Sequence, residues 1–317
     1  MTQPGPERVP TPELDIVELV DLLVGVLRWI GRATGVPEEE IEANVAAKLA
    51  FLRHRLSGEF TVDEFGFDEE FAENVHMLFL RPIFRHWFRV DVQGAEHLPT
   101  EGAALLVMNH SGTIAFDVLM AQVAVHDYAP NGRWLRMLGA DLLFGSPVLG
   151  DLSRKAGATL ATHSDAARLL DRGHLVGVCP EGFKGVGKPF RDRYRLQRFG
   201  RGGFVATALR AGAPIIPVSV VGAEETYPML ANLPQLARLF KLPYFPVTPL
   251  FPHLGLFGLV PLPSKWIIHF GTPIDTSGLG PSDADDGMLV FELTDRVRET
   301  IQRTVYALLE ERGPAFF

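Results

Sequence analysis

AALLVMNHSGTIAFDVLMAQVAVHD, residues 103–127, joins a short apolar run to a helical segment through a polar turn. The run AALLVMN (103–109) is apolar almost throughout and too short for a stable helix, which suits a strand buried on both faces. The segment 114–127 is long enough for about four turns of helix. The same alternation recurs downstream. VDV (90–92), WLRML (134–138), HLVGVCP (174–180) and PIIPVSVVG (214–222) read as strands. Helices are expected at 147–155, 163–172 and 201–211, followed by a late strand WIIHFG (266–271) and a closing helix over 288–312. Strands alternating with helices of this length predict an α/β fold, a mainly parallel sheet flanked by helices. In such folds ligands bind beyond the carboxyl ends of the strands.

Upstream the pattern is helical, over 12–33, 37–57 and about 68–88. Pro37 followed by Glu38, Glu39 and Glu40 suits a helix start, where negative charge meets the positive end of the dipole. The expected division is therefore a disordered stretch 1–11, an N-terminal helical subdomain 12–88 and an α/β domain 89–317. The opening MTQPGPERVPTPELD has no basic start leading into an apolar run, so no secretory signal is expected. The stretch 15–32 carries Asp15, Glu18, Asp21, Arg28 and Arg32. Each such charge costs about 2.5–3.5 kcal/mol near a bilayer centre, so an amphipathic helix is expected there and not a span.

The 317 residues are 47% hydrophobic and carry a net charge of −8. A mean hydropathy of +0.12 leaves material for a large core and some apolar surface. The acidic balance argues against nucleic acid as a partner, since phosphate neutralisation requires a basic face. One cysteine, Cys179, excludes an intramolecular disulfide and a cysteine-rich zinc site. Residues 242–264, LPYFPVTPLFPHLGLFGLVPLPS, hold no Asp, Glu, Lys or Arg and are long enough to span a bilayer. Six prolines exclude a continuous helix, and irregular backbone cannot sit unpaired in hydrocarbon. Two readings stand: a loop covering the core, or an apolar lip that rests on a membrane or lines a channel.

His110 follows the strand at 103–109 in a polar Ser-Gly-Thr turn. A histidine at a strand exit titrates near working pH and can take a proton from a hydroxyl. It then needs a partner to hold its tautomer, usually a carboxylate. Apart from Glu96 and Glu101 upstream, Asp117 is the one carboxylate within fifteen residues on either side. Residues seven apart on a straight helix lie about 10 Å apart along the axis, beyond hydrogen-bond reach. The pair can work only if 110–113 folds back over a helix start, and Gly112 permits such a turn. The bland alternative is a loop histidine and a solvated aspartate. No Gly-x-Ser-x-Gly elbow is present, and Cys179 reads as a small buried hydrophobe. A lone base without a protein nucleophile suits attack by an external hydroxyl, either a bound alcohol or, less well, water.

The loop VCPEGFKGVGKPFRDRYRLQRFGRGG (178–203) holds Lys184, Lys188, Arg191, Arg193, Arg195, Arg198 and Arg201 against Glu181 and Asp192. Cations in a glycine-permissive loop suit phosphate oxygens. The anion could be a lysophospholipid phosphate, the phosphates of coenzyme A or anionic headgroups; a merely solvated basic loop is the alternative. GFKGVGK (182–188) matches the start of a nucleotide-binding P-loop, but Pro189 stands where Ser or Thr must hold magnesium, and nucleotide hydrolysis is not expected.

Taken together, NHSGTIAFD (109–117), CPEGFK (179–184), FGRGGFVATALRAG (199–212), APIIPVSVVG (213–222) and FGTPI (270–274) resemble the motifs of the glycerolipid (lysophosphatidic acid) acyltransferase family, in order and spacing. The resemblance implies transfer of a fatty acyl group from acyl-CoA or acyl carrier protein to a lipid hydroxyl. It implies His110 as general base oriented by Asp117, with Glu181 and Gly182 at a glycerol-like acceptor. Asn109, Ser111, Gly112, Pro180, Lys184, Lys188 and Arg191 complete the expected substrate-binding set. No metal and no cofactor beyond the acyl-CoA co-substrate are implied. The expected setting is cytoplasmic, at the inner face of the membrane, with contact through 242–264. Two departures stand out: the His–Asp step is two residues longer than usual, and Phe183 and Lys184 replace the Thr and Arg of the third motif. They resemble the diacylglycerol-acyltransferase-like branch, whose acceptor need not carry phosphate. An inactive lipid-binding relative and a lipid esterase are the competing expectations.

Overall fold

The computed structural model describes Val24, Gly25, Arg28 and residues 37–316 apart from Ser277. The chain divides into two compact units, 1–61 and 62–317. In the first, helix α1 (Glu38–Ser57) starts behind Pro37 and closes on Gly58 at a φ of 75°. The disorder expected at 1–11, and most of the helix expected over 12–33, lie outside the described residues.

The domain boundary expected at 88 falls instead between 61 and 62. The reason is packing. Helix α2 (69–87), interrupted by the π-helical stretches Ala72–Met77 and Ile83–Trp87, buries Met77, Leu80 and Phe84 in the same core as the sheet. Phe88 follows them into that core, so the helix belongs with the second unit.

That unit is built on a seven-stranded sheet. Its strands are β1 (Asp91–Gln93), β2 (Ala104–Met108), β3 (Leu135–Gly139), β4 (Thr159–Leu160), β5 (Leu175–Val178), β6 (Ile215–Val221) and β9 (Ile267–Phe270), in the order β1-β9-β6-β2-β5-β3-β4. The pairings from β6 through β4 are all parallel; β9 runs antiparallel to β6, and β1 parallel to β9. All five residues of β2 and all seven of β6 are buried, as continuous apolar runs covered on both faces must be. Along β2 the side chains alternate. Ala104, Leu106 and Met108 enter one core with α2 and helix α3 (Phe116–Tyr128). Leu105 and Val107 enter the other, beneath helices α5 (His163–Asp171), α6 (Gly203–Ala211) and α7 (Gly287–Arg312). Between β3 and β4 runs helix α4 (Pro147–Lys155).

Because β2, β3, β5 and β6 are parallel, their carboxyl ends emerge on one edge. The segment 222–266 also stays at that edge, since Ile267 of β9 pairs with Val221 of β6. It contains a small antiparallel pair, β7 (Ala231–Asn232) with β8 (Pro246–Val247). Thr248 and Ser264 are buried, but Leu256 and Phe257 are 82% and 79% exposed. The stretch expected to be either a buried loop covering the core or an apolar lip is thus buried in part and exposed at Leu256 and Phe257.

Candidate active site

Where β2 ends, Asn109 continues its pairing by side chain. The Asn109 Nδ2 donates to Val220 O (3.0 Å), and Val220 N donates to Asn109 Oδ1 (2.8 Å). The amide, expected to contact substrate, is spent on holding the strand end to β6. The chain then reverses through Gly112 (φ 83°) and Thr113 (φ 35°). A Cβ on Gly112 would lie 2.4 Å from Ala223 O, so only glycine fits this approach. Thr113 Oγ1 ties the turn to Tyr227 O at 2.7 Å.

The reversal places Asp117, in the first turn of α3, against His110. His110 Nδ1 lies 2.8 Å from Asp117 Oδ2, and Ser111 N donates to the same oxygen at 2.8 Å. Asp117 is fully buried at a helix N-terminus, where the backbone dipole favours negative charge. A carboxylate only accepts, so Nδ1 carries the hydrogen and the lone pair stands on Nε2. Burial pushes the His110 pKa down, but the Asp117 charge beside it, with a further contribution from Cys179, carries it well above the usual imidazole value. Cys179 follows β5, and its thiol is a hydrogen-bond partner of the His110 side chain; burial raises its own pKa, against the opposing influence of His110. Its contact with His110 was not visible in the sequence, where it read as packing. The Ser111 Oγ is buried without a hydrogen-bond partner.

Glu181 and Lys188, expected at the substrate, are committed inward instead. Glu181 Oε1 accepts from His110 N at 2.8 Å, and its Oε2 accepts from Gln197 N. Lys188 Nζ sits 2.9 Å from Glu224 Oε1 and 3.7 Å from Glu181 Oε2, and donates to Arg195 O at 3.3 Å. The Lys188 side chain is 2% exposed. A charge so buried persists only when paired inside the protein, so this lysine neutralises two glutamates and does not reach a phosphate. Burial raises the Glu224 pKa, and Lys188 opposes that rise. Glu225 forms a second buried cluster with Arg312 (3.0 and 3.1 Å) and the Tyr194 hydroxyl, which also accepts from Gly222 N at 3.1 Å. Reading the sequence missed Glu224, Glu225 and Arg312. The available signal was a pair of glutamates directly after an apolar strand.

The other expected residues are more open. Gly182 takes a φ of 54° with free space where a side chain would project, and Pro180 is half-buried. Lys184 is exposed, and Arg191 is 84% exposed with only Asp192 nearby at 3.7 Å. Gly185 was not singled out by sequence, yet a Cβ there would lie 2.5 Å from His110 O. Close backbone approach to His110 is what demands glycine.

An apolar cavity of about 150 Å³ adjoins the turn, lined by Ile114, Tyr227, Leu242, Phe245, Phe251 and Leu259 among others. Tyr244 donates its hydroxyl hydrogen to Thr113 O of the same turn. A larger recess of about 490 Å³ lies near Gly212, Pro214 and Ile274, at the amino end of β6 and the opposite edge of the sheet from His110. It is not part of this site.

Residues 89–221 match the Acyltransferase family. An uncharacterized protein of Mycobacterium tuberculosis is 57% identical over 293 residues, covering 90% of this chain and 82% of that one. A bovine "DGAT1/2-independent enzyme synthesizing storage lipids" is 24% identical over 220 residues, 69% of this chain and 60% of that protein. The crystal structure of the 1-acyl-sn-glycerophosphate (LPA) acyltransferase PlsC from Thermotoga maritima superimposes with a TM-score of 0.49 at 17% identity, covering 93% of this chain and 99% of that one. The chain therefore carries an Acyltransferase domain over residues 89–221, and His110, Asp117 and Glu181 all lie within it.

Proposed function

We propose that the protein moves a fatty acyl group from a thioester, acyl-CoA or acyl carrier protein, to the hydroxyl of a glycerolipid or related lipid alcohol. The observation that carries this reading is the 2.8 Å contact between His110 Nδ1 and the fully buried Asp117 carboxylate. With Nδ1–H donated to Asp117, neutral Nε2 takes the proton of the acceptor hydroxyl as its oxygen attacks the thioester carbonyl. The tetrahedral intermediate expels the thiolate, which regains a proton from the imidazolium. Asp117 stabilises that imidazolium while it exists. The inactive-relative reading rested on a stretched dyad, and the observed distance removes its motive. An esterase would use the same base with water, and is distinguished by release of free acid without an acceptor.

The cavity beside Ile114 supports an apolar substrate. At about 150 Å³ it is below the roughly 300–1,000 Å³ of most small-molecule pockets, so it suits a segment of an acyl chain. With Lys188 turned inward, the exposed cations left in the loop for a phosphate group are Lys184, Arg191, Arg193, Arg195, Arg198 and Arg201, so a phosphate-bearing and a phosphate-free acceptor both fit. Among the described residues no helix is long and apolar enough to cross a membrane. We infer peripheral contact through 242–264, at the inner face where thioester donors are found. The test is a screen of lipid alcohols with labelled palmitoyl-CoA. Labelled ester from wild type and none from His110→Ala is the expected result; an unchanged rate in that variant overturns the mechanism.

A further inference from the structure

Apolar side chains are exposed on both sides of the catalytic strand, not on one. In the sheet order β6-β2-β5-β3, the strand leading to His110 has β6 on one side, and β5 then β3 on the other. All four deliver their following segments to the same edge, because they are parallel. After β6 come Leu256 and Phe257. After β3 come Leu142, Val148, Leu149 and Leu152, with Val148 68% and Leu149 57% exposed. Helix α4 thus inverts the usual rule, since its apolar positions face outward instead of into the core. No part of the acyl-transfer chemistry accounts for them.

Charge on this edge is also distinctive. The segment after β5, the strand between β2 and β3 in the sheet, carries exposed Lys184, Arg191, Arg193, Arg195, Arg198 and Arg201, in a chain of net charge −8. A cationic band on an acidic protein gives it a polarity that turns this edge toward a negative surface. Exposed apolar side chains and cations on one edge suit a bilayer surface, where cations meet headgroup phosphates and apolar side chains enter the acyl boundary beneath them.

We propose that this edge seats on an anionic lipid bilayer through two apolar flanks, 142–152 and 242–264, with the cations of 184–201 on the headgroups. The proposal rests on the lipid-acyltransferase reading for its purpose, but it has its own readout. Seated this way, the Nε2 of His110 faces a substrate supplied from the membrane, and the acidic remainder of the molecule points to water.

The test is co-flotation of the full chain with vesicles of phosphatidylcholine alone and with an equal part of phosphatidylglycerol. Wild type is expected to bind the anionic vesicles, with binding that weakens as salt is added. Val148→Ser with Leu149→Ser is expected to weaken that binding about tenfold or more, since both side chains lose apolar burial. Arg198→Glu with Arg201→Glu is expected to weaken it by a similar factor or more on anionic vesicles, at roughly a factor of five for each cation lost, and to leave neutral vesicles unaffected. Val148→Ser with Leu149→Ser should leave the thermal midpoint of the free protein unchanged and retain acyl transfer to dispersed short-chain substrates. His110→Ala should bind vesicles as wild type does, which separates failure of docking from failure of the chemistry. Absent binding, or binding indifferent to the Val148/Leu149 pair, overturns the proposal. A lowered thermal midpoint in that variant also overturns it, because the helix face would then be covered by the chain itself.

Discussion

The loops that follow β2 and β5 both carry polar residues at the carboxyl edge, yet they use them in opposite ways. The first, 109–117, directs nearly every polar group to a single end. Asn109 pins the strand, and Ser111 N and His110 Nδ1 converge on Asp117. The second, 179–202, divides its charges. Glu181 and Lys188 are buried under the base, while Lys184, only four residues before Lys188, is exposed. Two lysines in one loop therefore do unrelated jobs. Residue type alone did not separate them; depth did.

Substitutions can break or sharpen that contrast. His110→Ala should reduce acyl transfer by about 10²–10⁴-fold, the range for a lost general base, with circular dichroism unchanged. Its pH profile sharpens the case. Because the neutral imidazole is the base and its pKa is raised, the rate should climb as pH rises through that raised value. Asp117→Asn removes the main raising charge, so the climb should move to lower pH, with a lower plateau. The same shift bears on stability. The pair stabilises the fold fully below the unfolded pKa of about 6.5, and that contribution is lost as pH rises through the folded value.

Lys188→Met comes next. Removing the cation leaves Glu181 and Glu224 buried without it, at a cost of about 3–5 kcal/mol in unfolding free energy. A stability loss under about 1 kcal/mol, the size typical of a surface pair, would show that Lys188 is not the internal brace described. Gly185→Ala should cost about 1–3 kcal/mol through overpacking and lower the rate, because its Cβ meets His110 O at 2.5 Å. Lys184→Ala should change stability by no more than about 0.5 kcal/mol, as exposed substitutions do. Equal effects at 184 and 188 would erase the comparison.

Much of the framework was legible from the sequence because hydrophobic period and length report directly on buried strands and flanking helices. The strands expected at 103–109, 134–138, 174–180 and 214–222 appear as β2, β3, β5 and β6, and the helix expected at 147–155 appears with those bounds. β4 escaped because two residues, Thr159–Leu160, carry no pattern. The domain boundary was misplaced at 88 because a helix looks the same in sequence whether it packs on its neighbours or on the sheet. Only the burial of Met77, Leu80 and Phe84 in the sheet's core assigns it.

The site divides along the same line. From the sequence came His110 at a strand exit, Asp117 as its candidate partner and the need for a reversed chain at Gly112, because these depend on local spacing and turn chemistry. The rest depended on residues distant in sequence meeting in space. Glu181 meets His110 across 71 positions, Asn109 meets Val220 across 111, and Arg312 meets Glu225 across 87. Parallel pairing of β2, β5 and β6 brings those strand ends side by side, and a low-dielectric interior then requires each buried charge to find a partner. The sequence alone singled out His110 as the candidate base. The tertiary structure decided which neighbouring charges support it and which remain free to meet a ligand.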